Sequence, residues 1–130
     1  MKVLAFAVIA ALYQGALIEH AVAEDAGDPA AGEKVFMKCR ACHQIGPNAK
    51  NMVGPNLTGV VGRPAGTYPG YNYSDANKNS GITWTEEALT RYLKKPQAMV
   101  PGTKMTFPGL PSDDDIKNVI AYLKTFSPPK

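Results

Sequence analysis

Cys39-Arg40-Ala41-Cys42-His43 is the stretch on which the fold turns. Two thiols three positions apart, followed at once by an imidazole, make the C-x-x-C-H spacing at which haem vinyl groups are joined to cysteine sulfur while the histidine reaches the iron. Three other chemistries also use close cysteines. A zinc site needs four ligands, and no further Cys or His follows His43. A dithiol redox pair normally opens a helix inside a βαβ pattern, of which the chain has no sign. A disulfide between residues so near in sequence would close almost no loop and stabilise little. One covalently bound haem is the reading these residues favour.

The lack of any histidine beyond His43 leaves the far side of such an iron to another residue type. Met105, framed by Pro101-Gly102-Thr103-Lys104 and Thr106-Phe107-Pro108-Gly109, is the leading candidate. Met37, Met52 and Met99 compete with it. Met37 lies too near Cys39 to reach the opposite haem face, and Met52 and Met99 lack the stiff Pro/Gly frame. An imidazole–thioether iron suits a one-electron carrier and not an enzyme. An open sixth position would instead suit a haem enzyme or gas-binding sensor.

The amino terminus reads as an export signal. Lys2 precedes an apolar run from Val3 to Leu12, a second apolar stretch covers Ala16-Leu17-Ile18, and Ala21-Val22-Ala23 offers a small-residue cleavage site. Gln14, Glu19 and His20 interrupt the run short of the roughly 20 apolar residues a membrane span needs. Residues 1–23 are therefore expected to be a cleaved signal peptide, which points to the periplasm, and residues 24–130 a single domain. Loss of the leader would remove one base, Lys2, and one acid, Glu19, so the formal charge of +3 is unchanged. That charge is segregated. Lys34, Lys38, Arg40, Lys50 and Arg63 lie in one stretch free of acids, and Arg91, Lys94, Lys95 and Lys104 in another. Such a division can give the molecule a basic face.

Three main helices carry start and stop signals. Asp28 with Pro29 opens the first, which carries Val35 and Phe36 toward the cysteines. Gly32 in its middle costs about 0.5–1 kcal/mol relative to Ala, so a close helix–helix approach is expected there. Thr85 with Glu86-Glu87 opens the second, through Leu89, Tyr92 and Leu93, and Pro96 stops it. Ser112 and three aspartates open the third, whose stripe is Ile116, Val119, Ile120, Leu123 and Phe126. Ser74-Asp75-Ala76-Asn77 resembles a shorter capped start. Between His43 and Tyr73 the chain is rich in Gly, Pro and Asn and has no periodicity, and residues 100–111 are similar. Loops this long need a reason in a compact domain. A haem would supply the apolar surface they lack, making both loops pocket walls.

The chain resembles class I c-type cytochromes, the family of mitochondrial cytochrome c and bacterial cytochrome c2, over essentially all of residues 27–124. The likeness rests on Gly32 and Phe36 ahead of the C-x-x-C-H motif, Gly54-Pro55-Asn56-Leu57, Tyr73-Ser74-Asp75-Ala76-Asn77 and Gly81-Ile82-Thr83-Trp84. Tyr92-Leu93, Pro101-Gly102-Thr103-Lys104-Met105 and Ile120-Ala121-Tyr122-Leu123 continue it in order. The resemblance implies a small all-α cytochrome c fold, three main helices plus short helices and long loops wrapped around haem. It further implies thioethers at Cys39 and Cys42, axial ligands His43 and Met105, and a Pro55 carbonyl holding the imidazole. Tyr73 and Trp84 would donate to a haem propionate with Arg63 nearby. Asn77, Tyr92 and Thr103 would belong to a hydrogen-bonded group near the sulfur and a buried water, and Phe107 would cover the haem edge. Tyr92 and Trp84 also read as plain core. Gly32 and Phe36 would meet Tyr122 and Leu123 where the first and last helices cross.

The implied function is a soluble, monomeric carrier that docks transiently on membrane or periplasmic redox complexes in a respiratory or photosynthetic chain. Such partners are a quinol:cytochrome c reductase and a terminal oxidase, reaction centre or periplasmic dehydrogenase; nucleic acid is not expected. The chain departs from the mitochondrial members in having Gln97-Ala98 where they carry lysines, and Pro111-Ser112 then Asp113-Asp114-Asp115 in place of a lysine cluster.

Overall fold

A computed structural model describes residues 26–128; the leader read over residues 1–23, His20 included, lies outside them. The chain is all-α, with helices α1 (Pro29–Phe36), α2 (Asp75–Lys78), α3 (Glu86–Lys94), α4 (Pro96–Met99) and α5 (Asp113–Lys124). Among the described residues the one β-type pairing is an isolated bridge between Pro64 and Thr83.

Side chains close to the helix starts set where they begin. Asp28 accepts from the Ala30 N–H at 2.9 Å with Pro29 just inside the helix. Ser74 accepts from Asn77 N–H at 3.1 Å, Thr85 from Ala88 N–H at 3.1 Å, and Ser112 from Asp115 N–H at 3.2 Å. Each cap satisfies a donor with no partner inside its helix, worth about 1 kcal/mol. The acids in the first turns of α3 and α5 face the positive ends of the helix dipoles.

Pro96 ends α3, as expected of a residue without an N–H, but its fixed φ also opens α4, a separate turn that the sequence pattern did not distinguish. Phe126 does not continue the α5 stripe. It lies beyond the Thr125 cap and meets Tyr122 edge-on, with ring centroids 5.2 Å apart.

The α1 and α5 helices cross at Gly32. A Cβ there would fall inside the contact envelope of the Asn118 carbonyl and 2.9 Å from Tyr122 Cβ, so only glycine lets the backbones meet. Phe36, 1% exposed, packs on Tyr122 with centroids 5.3 Å apart, and the Asp28 N–H donates to Asn118 Oδ1 at 2.8 Å. Ile116, Val119, Ile120 and Leu123 are buried from α5 and Leu89, Tyr92 and Leu93 from α3. Full burial of such aliphatic side chains is worth roughly 1.5–3 kcal/mol each.

The long segment after His43 holds itself by polar contacts rather than a ladder. Asn56, 3% exposed, donates to the Ala49 carbonyl at 2.8 Å and the Tyr68 hydroxyl at 2.9 Å, and accepts from the Thr58 N–H at 2.9 Å. Arg63 donates to the Thr58 and Asn56 carbonyls, both at 3.1 Å. Buried backbone groups need partners, and these side chains supply them where no regular structure does.

Candidate functional site

The Cys-x-x-Cys-His turn begins where α1 ends. The N–H groups of Cys42 and His43 both donate to the Cys39 carbonyl, at 3.1 and 2.9 Å, which winds the segment tightly and keeps both thiols and the ring on one wall. That wall faces a cleft of about 1220 Å³, open mouth included. Cys39, Cys42, His43, Pro55, Arg63, Tyr73, Asn77, Trp84, Tyr92, Thr103, Met105 and Phe107 all line it, so every residue singled out as a site candidate converges there. Phe36, Leu57, Val60, Leu89, Leu93, Val119 and Leu123 make the rest of its lining largely apolar, and exposed Lys38 and Lys104 border it. The loops over residues 44–73 and 100–111 both contribute to this lining, as expected.

His43 Nδ1–H donates to the Pro55 carbonyl at 2.7 Å. A carbonyl only accepts, so this bond fixes the tautomer and leaves Nε2 with its lone pair. Burial lowers the His43 pKa, opposed by the Pro55 bond, and Arg63 lowers it further. The ring is therefore held neutral at pH 7, the form that binds a metal. Gly54 permits its position, since a Cβ there would overlap the imidazole.

Burial, then the neighbouring Cys42, push the Cys39 thiol up to about 11 despite Lys38. The place of Cys39 just past the C-terminus of α1, the negative end of the dipole, acts in the same sense. A dithiol redox catalyst needs the reverse, a thiol shifted down.

Met105, which lines the same cleft, sits in a loop held by hydroxyl hydrogen bonds. Its N–H donates to Thr103 Oγ1 at 3.3 Å, and that hydroxyl pairs with the Tyr92 hydroxyl at 2.9 Å. Met37 is 60% exposed, Met52 borders a separate shallow hollow, and Met105 is the one methionine among the described residues that lines the cleft. The Trp84 and Tyr92 rings pack at 4.7 Å, so these two are core and cleft wall at once. Tyr73 accepts from the Tyr68 N–H at 3.1 Å and meets Tyr71 edge-on at 4.7 Å. The Arg63 guanidinium lies 4.9 Å over the Tyr68 ring, and burial lowers its pKa against the raising effects of Tyr73 and Tyr68. From so high an ordinary value it stays cationic. Asn77 Oδ1 is buried without a partner among the described residues.

These residues fit a covalently held haem. Two thiols and a lone-pair nitrogen share one wall, a soft sulfur lines the same cleft, a cation borders it, the surface between is apolar, and Asn77 Oδ1 is left for a group the described residues do not provide. Three contributors escaped the sequence reading: Asn56, which organises the loop; Gln97, whose amide reaches the methionine loop; and Tyr71, whose hydroxyl donates to the Val53 carbonyl at 2.7 Å beside the cleft. Their partners lie 6 to 18 residues away in irregular chain, and although Asn56 belongs to the Gly54-Pro55-Asn56-Leu57 motif, nothing in the local sequence names its contacts.

The cytochrome c family model matches residues 29–127. Cytochrome c2 of Rhodoblastus acidophilus is 62% identical over 101 residues, covering 78% of this chain and 94% of that protein. Cytochrome c2 of Rhodomicrobium vannielii is 53% identical over 125 residues, covering 96% and 97%. Among solved structures, cytochrome c2 from Rhodospirillum centenum superposes with a TM-score of 0.76 at 49% identity, covering 78% of this chain and 100% of that one.

Proposed function

Because the chain belongs to the cytochrome c family, an electron carrier with one haem c and not an enzyme, we propose that His43 and Met105 are the axial ligands and Cys39 and Cys42 the thioether anchors. The observation that carries this reading is the pairing, in one apolar cleft, of His43 locked by Pro55 with the single cleft-lining methionine. Haem bound there supplies an iron that cycles between ferrous and ferric.

The chain's part is to hold that centre still. Pro55 orients the imidazole, and Thr103 and Tyr92 set the height of the methionine loop. Tyr73 and Trp84 would donate to a propionate, with Arg63 offsetting its charge while tied to two carbonyls of the loop. Asn77 would hold a buried water near the sulfur, and Phe107 would cover the haem edge. Such fixed groups keep rearrangement on electron transfer small. Apolar walls exclude water, and a thioether ligand favours the ferrous state, so the potential should stand well above that of a bis-histidine haem.

In this reading the carrier is exported as a soluble monomer to the periplasm. It takes electrons from a quinol:cytochrome c reductase or a periplasmic dehydrogenase and passes them to a terminal oxidase or a reaction centre. No helix among the described residues is long and apolar enough to cross a membrane. Redox titration and absorption spectroscopy test the ligation. Met105→Ala should abolish the thioether-to-iron charge-transfer band and lower the potential by a large margin. If band and potential are both unchanged, Met105 is not the ligand, and a wild type that is high-spin when ferric and binds cyanide readily, or binds CO readily when reduced, would favour an open sixth position.

A further inference from the structure

We propose that Gln97 is a positioning residue for the sulfur ligand, an amide fork that clamps the methionine loop from α4; this rests on reading Met105 as an axial ligand. Its one Nε2 donates both hydrogens, to the Thr103 carbonyl at 3.0 Å and to the Met105 carbonyl at 3.1 Å. Those carbonyls flank Lys104, so a single side chain fixes the two ends of the dipeptide that presents the sulfur. An amide nitrogen carries two donors, and both are used.

The geometry explains why a clamp has work to do here. The loop after α4 has no regular structure, and besides the fork its side-chain hold comes from the buried Thr103–Tyr92 pair and from Lys104, whose ammonium donates to the Asn72 carbonyl at 2.6 Å. The Tyr92 contact holds the loop from inside and Lys104 from the side of the long loop. The Thr103 N–H donates to the Val100 carbonyl at the end of α4 at 3.0 Å, and Gln97 is the side chain that ties the loop to the turn opened by Pro96, which is itself fully buried. A soft thioether binds ferric iron weakly, so the share of molecules with the loop in place decides how tightly the sulfur is held. Removing the fork raises the share with the sulfur withdrawn, and any exogenous ligand that needs the sixth position then binds better in proportion. Gln97 is exposed and contributes nothing to the core, so its loss acts on the loop and not on the fold.

The test measures cyanide affinity of the ferric holoprotein together with its thioether charge-transfer band. Gln97→Met keeps the length and removes both donors; Gln97→Glu offers only acceptors to two carbonyls. Loss of two neutral hydrogen bonds should tighten cyanide binding on the order of tenfold in each, and the band should weaken. Gln97→Arg, which keeps forked N–H donors and is not an iron ligand, should return both readouts toward wild type. The proposal is overturned if Gln97→Met and Gln97→Glu match wild type in cyanide affinity and band, or if Gln97→Arg behaves like Gln97→Met. Failure of the underlying ligation would look different. The wild type itself would then lack the band and bind cyanide tightly, whatever stands at position 97.

Discussion

Substituting Gly32 with alanine sets two effects of opposite sign against each other. In an isolated helix the change would stabilise by about 0.5–1 kcal/mol, since glycine loses the most backbone freedom on folding. At this position the new methyl meets the carbonyl oxygen and carbon of Asn118, with Tyr122 Cβ at 2.9 Å. Asn118 lies within α5, so the obstructing atoms are backbone held in a helix and cannot swing aside. The helices must separate, which also loosens Phe36 against Tyr122. Overpacking of this kind costs about 1–3 kcal/mol, so the net loss should be about 1–2 kcal/mol, and Gly32→Val should lose more, up to about 3 kcal/mol. With a urea slope of about 1–3 kcal/mol/M, the midpoint for Gly32→Ala should fall by about 0.3–2 M. The assay is urea titration of the holoprotein followed by fluorescence of Trp84, the sole tryptophan. A midpoint equal to or above wild type would refute the close-approach argument, because helix propensity would then outweigh any contact with α5.

Two further outcomes follow from the charges and hydroxyls. Burial raises the Tyr92 pKa above its ordinary value of 10.0, against the lowering effect of the Thr103 bond; a raised folded value means stability is fully present below pH 10 and is lost as pH climbs through it. Urea midpoints should therefore decline above pH 10, and Tyr92→Phe should flatten that decline; equal slopes in both proteins would remove Tyr92 as its source. Electron transfer to an acidic partner should slow as ionic strength rises, since surface charges are screened beyond about 10 Å at 0.1 M salt and carrier interfaces are small. Lys104→Glu, beside the cleft, should slow it more than Lys117→Glu on α5, whereas Lys94 should matter little because its ammonium is paired with Asp113. A second-order rate indifferent to salt and to both substitutions would assign docking to apolar contact around Phe107.

What the sequence by itself determined is what acts over a few residues. The caps at Asp28, Ser74, Thr85 and Ser112 bond to N–H groups only two or three positions away, so their partners are implied by their places in the chain. The same holds for the tight turn that keeps Cys39, Cys42 and His43 on one wall, because its hydrogen bonds stay within the motif. The glycine at position 32 signalled a close approach, but the atoms it approaches, in Asn118, are far along the chain and only the crossing of α1 and α5 names them. Tertiary structure alone decided that the residue after Pro96 reaches back to the methionine loop, that Asn56 bridges Ala49 and Tyr68, and that Lys94 spends its charge on Asp113. Asn56 and the carbonyls that Gln97 reaches lie in irregular segments, where no 3.6-residue or two-residue period relates a position to the direction of its side chain, and Lys94 and Asp113 stand on different helices, whose relative placement no period gives. Where the backbone has a period, spacing predicts the neighbour; in the loops that enclose this cleft, the neighbour is set by how the whole chain closes.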